Sequence, residues 1–222
     1  MRGSGGDRRL SERLRTRQRR TAGQARWLER QLNDPYVARA RQAGLRSRAA
    51  FKLLELDAKA KLLKPGLRVV DLGAAPGGWA QVAVQKGAGR VVAIDLLPIE
   101  PIPGAIILQG DFLAPDAPDR VRQALGGPAD LVLSDMAANT TGHAATDHLR
   151  IMGLAEAALD FALSVLAPGG AFVCKLFQGG GERDFQTLLK THFATVRHAK
   201  PPASRKDSAE TYVVAQGFRK GS

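Results

Sequence analysis

Cysteine is almost absent from this chain: the single thiol, Cys174, excludes an internal disulfide and suits a reducing compartment. The four histidines, His143, His148, His192 and His198, have no Cys or His partner at zinc-site spacing, so no structural metal is expected. No apolar run reaches membrane-spanning length, and no hydrophobic segment follows the basic start as a secretory signal requires. Aromatic residues make up only 5% of the chain. Acidic residues are also in short supply, 21 against 33 Lys and Arg, for a net charge of +12. At 222 residues the chain is long enough to bury one good core as a single domain.

What is present begins with Val69-Val70-Asp71-Leu72-Gly73-Ala74-Ala75-Pro76-Gly77-Gly78-Trp79, an apolar strand running into a glycine turn and then a helix. The strand is expected to end at Asp71, with Gly73, Gly77 and Gly78 removing the Cβ atoms that would keep a ligand off the backbone, and a helix starting at Trp79. The turn lacks the G-x-G-x-x-G spacing of dinucleotide folds and the Gly-Lys-Ser/Thr of a P-loop, which argues against NAD and ATP. Short apolar runs recur at Leu67–Val70, Arg90–Ile94, Ala105–Leu108, Ala129–Leu133, Ala171–Leu176 and Thr211–Ala215. They read as strands buried on both faces. Between them, Ile151–Leu166 keeps helical spacing and is stopped by Pro168-Gly169-Gly170. Alternating strands and helices predict an α/β fold with a doubly wound, mostly parallel sheet, its ligand outside the carboxyl ends of the strands. Asp95, Asp111, Asp135 and Lys175 all fall on that edge.

Asp95, 22 residues beyond Gly73, stands where an acidic side chain accepts hydrogen bonds from ribose hydroxyls. Asp111 can take the exocyclic amine of adenine, and the ring of Phe112 offers a stacking face beside it. Adenosine without a pyrophosphate site points to S-adenosyl-L-methionine as cofactor.

The runs Gly44 to Lys52, Val69 to Trp79, Ile94 to Pro98, Gln109 to Phe112, Ser134 to Met136 and Val173 to Gly179 closely resemble the FtsJ/RrmJ family of RNA ribose 2′-O-methyltransferases over about Arg26 to Phe218. The resemblance implies a Rossmann-like, seven-stranded S-adenosylmethionine-dependent methyltransferase fold. It also implies a catalytic set of Lys52, Asp135, Lys175 and Glu210, and a cofactor site of Gly73, Gly77, Trp79, Asp95, Asp111, Phe112 and Asp135. The chain departs from the family at Ala138, where a proline usually precedes Asn139. Chemically the set is coherent. A lysine near a second cation and partly out of water can act as a general base, while Asp135 and Glu210 orient the lysines and balance charge. Alternatively, a protonated Lys175 steers the hydroxyl and the proton is lost late to water. Cys174 alternates away from Lys175 along its strand and is expected in the core.

Residues 1–26 hold nine arginines against Asp7 and Glu12, and are expected to form a mobile basic arm that grips phosphates, followed by a catalytic domain over 27–222. Met-Arg-Gly-Ser-Gly-Gly at the start has the look of an engineered leader. Arg46, Arg48 and Lys52 around Phe51 are expected to form a basic wall facing RNA, on a helix whose other face carries Leu53, Leu54 and Leu56. Few aromatic side chains are available to stack on bases, so recognition by RNA shape is expected. The resemblance implies a uridine of large-subunit ribosomal RNA within the assembled subunit, with transfer RNA as the alternative substrate. The expected enzyme is a cytoplasmic monomer with no membrane partner; the Arg-rich start also suits the mitochondrial matrix. Two other classes compete. A non-catalytic RNA-binding assembly factor is opposed by the intact lysines and carboxylates, and a nicotinamide oxidoreductase by Pro76 and the glycine spacing.

Overall fold

The computed structural model describes residues 34–138, 141–179, 181–205 and 208–220. The predicted arm at 1–26 lies outside them, as does the start of the predicted domain. Seven strands, β1 (Arg68–Leu72), β2 (Arg90–Asp95), β3 (Ala105–Gln109), β4 (Ala129–Ser134), β5 (Leu166–Phe177), β6 (Phe193–Ala199) and β7 (Glu210–Phe218), form one sheet in the order β3-β2-β1-β4-β5-β7-β6. β1 to β5 pair in parallel, and β7 is inserted antiparallel between β5 and β6. The helices are α1 (Pro35–Gln42), α2 (Ala49–Ala60), α3 (Gly78–Gln85), α4 (Ala117–Leu125), α5 (Ala144–Val165) and α6 (Glu182–His192).

Valine- and isoleucine-rich strands form because both faces are covered. Val69, Val91, Leu131, Leu133 and Val173 face Leu53 and Leu56 of α2 and Trp79 and Val82 of α3. On the other face Val70, Leu72, Val92, Ile94 and Phe172 pack with Val121 and Leu125 of α4, Leu159 of α5, and Phe185 and Leu189 of α6. Each such side chain contributes about 1.5–3 kcal/mol by leaving water. Asp34 starts α1, accepting a hydrogen bond from the Tyr36 N–H at 3.0 Å ahead of Pro35 in the first turn.

Several boundaries differ from the expected ones; most strands extend by one to three residues beyond their apolar runs. β1 runs one residue further, to Leu72, so Asp71 lies inside the strand, and α3 begins at Gly78 rather than Trp79. α5 starts at Ala144, well before Ile151; its first turns, with Asp147 and Arg150, carry no apolar periodicity, so the helical spacing in the sequence begins only at Ile151. β5 begins at Leu166, where the helix ends, and Pro168 to Gly170 sit in an irregular stretch of pairing with β4. β6 had no counterpart among the apolar runs. It is an edge strand in which only Phe193 is buried, so no continuous apolar run is needed.

The antiparallel insertion of β7 matters most for the site. Its amino end lies at the carboxyl edge of the parallel strands, with Glu210 opposite Phe177 and Tyr212 opposite Lys175.

Candidate active site

Lys175 projects from β5 toward the loop after β4. Its Nζ donates to the Asp135 main-chain oxygen at 2.7 Å and to Asp135 Oδ1 at 2.9 Å. Lys52, in the second turn of α2, places its Nζ 2.8 Å from both carboxylate oxygens of Glu210. Ser204 Oγ also donates to Glu210, at 2.7 Å. The two ion pairs are joined by a residue that sequence reasoning missed. Tyr212 is fully buried; its hydroxyl accepts from Lys52 Nζ at 3.1 Å and donates to Asp135 Oδ1 at 2.7 Å. A continuous chain, Glu210–Lys52–Tyr212–Asp135–Lys175, results. The available signal was the alternation of β7, which puts Tyr212 on the same face as Glu210. The predicted catalytic four therefore converge, but the two lysines are separated by a phenol and a carboxylate rather than set side by side.

Electrostatics follow from this wiring. Burial works to raise the Asp135 carboxyl, but Lys175, Lys52 and the hydrogen bonds from Lys175 and Tyr212 outweigh it and hold the group below its ordinary value. Burial, then the Asp135 and Glu210 carboxylates, push the Tyr212 phenol well above its own, so it remains a donor. Cys174, on the opposite face, is buried and pushed up to about 12, chiefly by desolvation, which makes it an inert core thiol. Asp71 shares the face of Lys175 but is pushed up to about 8 by burial and then by Asp135, against the pull of the Ala80 N–H, with Asp95 adding a smaller push.

Asp135 also borders a cavity of about 350 Å³ at the carboxyl edge, walled by Gly73, Ala75, Ile94, Asp95, Asp111 and Phe112 among others. Asp95 Oδ2 accepts from Ala75 N at 2.9 Å and Oδ1 from Leu97 N at 2.8 Å. Asp111 Oδ1 accepts from Leu113 N at 2.9 Å. The carboxylates thus hold the rim loops while presenting remaining lone pairs outward. An apolar cavity with a few converging polar groups suits an adenosine-bearing cofactor.

Three predicted cofactor residues also make contacts within the protein. The Phe112 ring is buried edge-on against Phe161, centroids 5.3 Å apart, and the exposed apolar groups near it are Leu96, Leu97 and Leu113. Trp79 lines a small adjoining cavity with Gly73, Ala75 and Asp135 instead; its Nε1 donates to Ala49 O at 2.7 Å and its ring lies 5.7 Å from that of Tyr212, tying α3 to α2 and to β7. Gly77 is also outside the wall of the larger cavity; its φ is 100°, and a Cβ there would meet Ile102 Cδ1 at 2.7 Å. Gly73 does line the cavity, yet a Cβ there would meet the Met136 backbone at 2.7 Å.

The expected RNA wall is drawn inward. Arg46 donates to the carbonyls of Glu100 at 2.7 Å and Pro101 at 2.6 Å. Arg48 pairs with Asp34 at 2.6 Å and donates to the Ala203 carbonyl, and Lys52 points into the hydrogen-bonded chain. These contacts tie α1, α2 and the loop before β7 together beside a second cavity of about 200 Å³, lined by Arg48, Lys52, Arg205, Ser208 and Glu210. A groove of about 920 Å³ between α5 and α6 holds none of the predicted residues, and Glu156, Asp160 and Asp184 line it. Its acidity unfits it for a polyanion. Among the described residues no cluster of His, Cys, Asp and Glu could hold a metal, and no helix is long and apolar enough to cross a membrane.

Comparison with known proteins agrees with this geometry. The FtsJ-like methyltransferase family matches residues 45–218. A Gluconobacter oxydans protein named ribosomal RNA large subunit methyltransferase E is 66% identical over 93% of this chain and 77% of its own length. Its namesake from Paramagnetospirillum magneticum is 64% identical over 99% and 93%. Among solved structures, a Plasmodium falciparum protein described as a ribosomal RNA methyltransferase superposes with a TM-score of 0.70 at 29% identity, covering 78% of this chain and 98% of that one. A Streptococcus thermophilus protein described as a hemolysin, 15% identical with a TM-score of 0.56 over 78% and 67%, shares the fold alone.

Proposed function

This chain belongs to the FtsJ-like methyltransferase family, and from that premise we propose that it methylates a ribose 2′-hydroxyl, of a uridine in large-subunit ribosomal RNA within the assembled subunit, using S-adenosyl-L-methionine. The observation that carries the reading is the hydrogen-bonded chain from Glu210 to Lys175, which meets the cofactor-sized cavity at Asp135.

The cavity fits the cofactor: Asp95 and Asp111 face its ribose and adenine chemistry, and Ile94, Leu96 and Leu113 its apolar surface. When bound, S-adenosyl-L-methionine supplies an electrophilic methyl group on a sulfonium. The protein's own task is positional, because an in-line displacement depends on holding the hydroxyl oxygen behind the methyl carbon. Lys175 uses two of its three N–H donors on Asp135, which leaves one for the ribose oxygen. Asp135 fixes that ammonium from two oxygens, and Tyr212 fixes Asp135. Lys52 and Glu210 anchor Tyr212 from the α2 side. In this arrangement Lys175 steers the hydroxyl, and the proton passes to water as the bond to carbon forms. A second lobe of the substrate sits against the Arg48–Arg205 cavity, where cations border the catalytic chain. The arginines of residues 1–26 add phosphate contacts.

Tritiated cofactor, offered with undermethylated large subunits, the naked RNA and transfer RNA, tests the reading. Label is expected on a uridine ribose of the assembled subunit. Label confined to transfer RNA, or to a base, would overturn it.

A further inference from the structure

On the sheet face that carries Lys175 and Tyr212, one more carboxyl is buried that the proposed chemistry leaves unused. Asp71 has no exposed surface, and neither of its oxygens makes a well-formed hydrogen bond. An unpaired buried carboxyl costs stability, so its retention calls for a reason. Ser47 Oγ, from the segment before α2, is buried and unpartnered as well. Both groups line one small cavity of about 10 Å³, whose wall also includes Gly73, Gly78, Trp79 and Asp135. That is the space of a single water molecule, and a buried water takes roughly two to four polar partners.

We propose that Asp71 and Ser47 hold one water in this cavity, that the water hydrogen-bonds Asp135, and that Asp71 is thereby a positioning residue for the Asp135–Lys175 pair. Burial, Asp135 and Asp95 push the Asp71 carboxyl up to about 8, so at neutral pH it is a neutral acid that offers one donor and one acceptor. A neutral acid, a hydroxyl and a carboxylate together give such a water three partners, with donors and acceptors for both of its roles. The charged groups bearing on Asp71 are Asp135 from the end of β4 and Asp95 from β2. Lys52 of α2 and Lys175 of β5 are committed to Glu210 and Asp135. α3 contributes the Ala80 N–H, and the arginines flanking Ser47 are turned to Asp34 and to backbone carbonyls. Loss of the Asp71 proton turns a donor into an acceptor and sets a second negative charge beside Asp135. The positioning role, though not the water, rests on the methyl-transfer reading above.

A high-resolution crystal structure of the full chain near pH 6.5 is expected to show a water oxygen within hydrogen-bond distance of Asp71, Ser47 and Asp135; a closed, dry contact between the side chains overturns the proposal. Single-turnover methylation at saturating cofactor and RNA, followed from pH 6 to 9, reads the role. The wild-type rate should fall as pH rises through about 8. Asp71→Ala should be slower roughly tenfold at pH 7, the scale of one buried hydrogen bond, and Asp71→Asn should recover most of that loss while abolishing the alkaline fall. An alkaline fall that persists in Asp71→Asn, or a wild-type rate in Asp71→Ala, overturns the role. So does an effect confined to cofactor affinity, which would make Asp71 a cofactor ligand. If the wild-type protein methylates no RNA, the substrate reading fails instead, and the crystal structure still decides the water.

Discussion

Asp71 and Asp135 stand on neighbouring parallel strands at the same edge of the sheet, one inside β1 and the other just past β4, and their surroundings drive them in opposite directions. Asp135 has a lysine and a phenol on one oxygen and stays charged, despite burial. Asp71 has no such partner and is pushed up to about 8. Depth in the sheet therefore does not set the charge of a carboxyl; the donors that reach it do. Stability should follow with opposite slopes. Because the folded value of Asp135 is depressed, its contribution is present above the unfolded value, about 3.9, and is lost as pH falls through the folded one. The folded value of Asp71 is raised, so the native state holds a proton the unfolded chain has released, and stability drops as pH rises from about 4 to about 8.

The sharpest way to break this contrast is Lys175→Ala, which strips Asp135 of its main partner and makes it resemble Asp71. Methyl transfer should fall by roughly 10² to 10⁴ in single-turnover assays, with cofactor affinity nearly intact by calorimetry; wild-type turnover would remove Lys175 from the mechanism. Asp95→Ala acts at the cofactor rim and should weaken S-adenosyl-L-methionine binding by about 1.5 to 3 kcal/mol, the worth of hydrogen bonds to a charged group. Unaltered calorimetric affinity would end the ribose assignment. Tyr212→Phe removes one of the two side-chain donors on Asp135 Oδ1 and should cost about 0.5 to 1.5 kcal/mol of transition-state positioning. Its rate should therefore drop roughly tenfold or less, and a loss as large as that of Lys175→Ala would give the phenol a direct part in chemistry.

Thermal melting against pH sharpens the same comparison. Asp135→Asn should remove the loss of stability below about pH 4, and Asp71→Asn should gain on the wild type as pH climbs from 4 toward 8. Parallel curves for either pair would cancel the assigned charge state. The smallest effect is expected from deleting residues 1–26, which should touch neither carboxylate. For every phosphate that the arm neutralises, its deletion should flatten the slope of log affinity against log salt by roughly 0.7 to 0.9, with the saturated single-turnover rate unchanged. Identical salt slopes would reduce the arm to a tail.

Much of the frame was legible in the chain. Six of the seven strands appear as apolar runs: the interior strands need unbroken hydrophobic sequence, and the edge strand β3 carries Ile106, Ile107 and Leu108 all the same, whereas the edge strand β6 buries only Phe193 and shows no run. Asp95, Asp111, Asp135 and Lys175 could be placed on one edge from their positions at strand ends. The glycine turn was legible only in part: Gly73 and Gly77 make room for Met136 and Ile102, which approach from elsewhere in the fold. Arg46 and Arg48 looked like an open basic surface, yet their nearest oxygens are Glu100, Pro101, Ala203 and Asp34.

Residue type and spacing were enough to establish the parallel strand–helix alternation, the edge on which a ligand sits and the exclusion of a dinucleotide turn. Hydrophobic periodicity and turn chemistry are local, and those features depend on nothing else. The charge state of each carboxyl and the identity of the residue joining the two ion pairs arose only on folding. Lys52 meets Glu210 and Tyr212 across 158 and 160 residues, and Tyr212 meets Asp135 across 77. Such contacts, and the dehydration that accompanies them, exist only once the antiparallel β7 has slid between β5 and β6 and brought its amino end to the same edge.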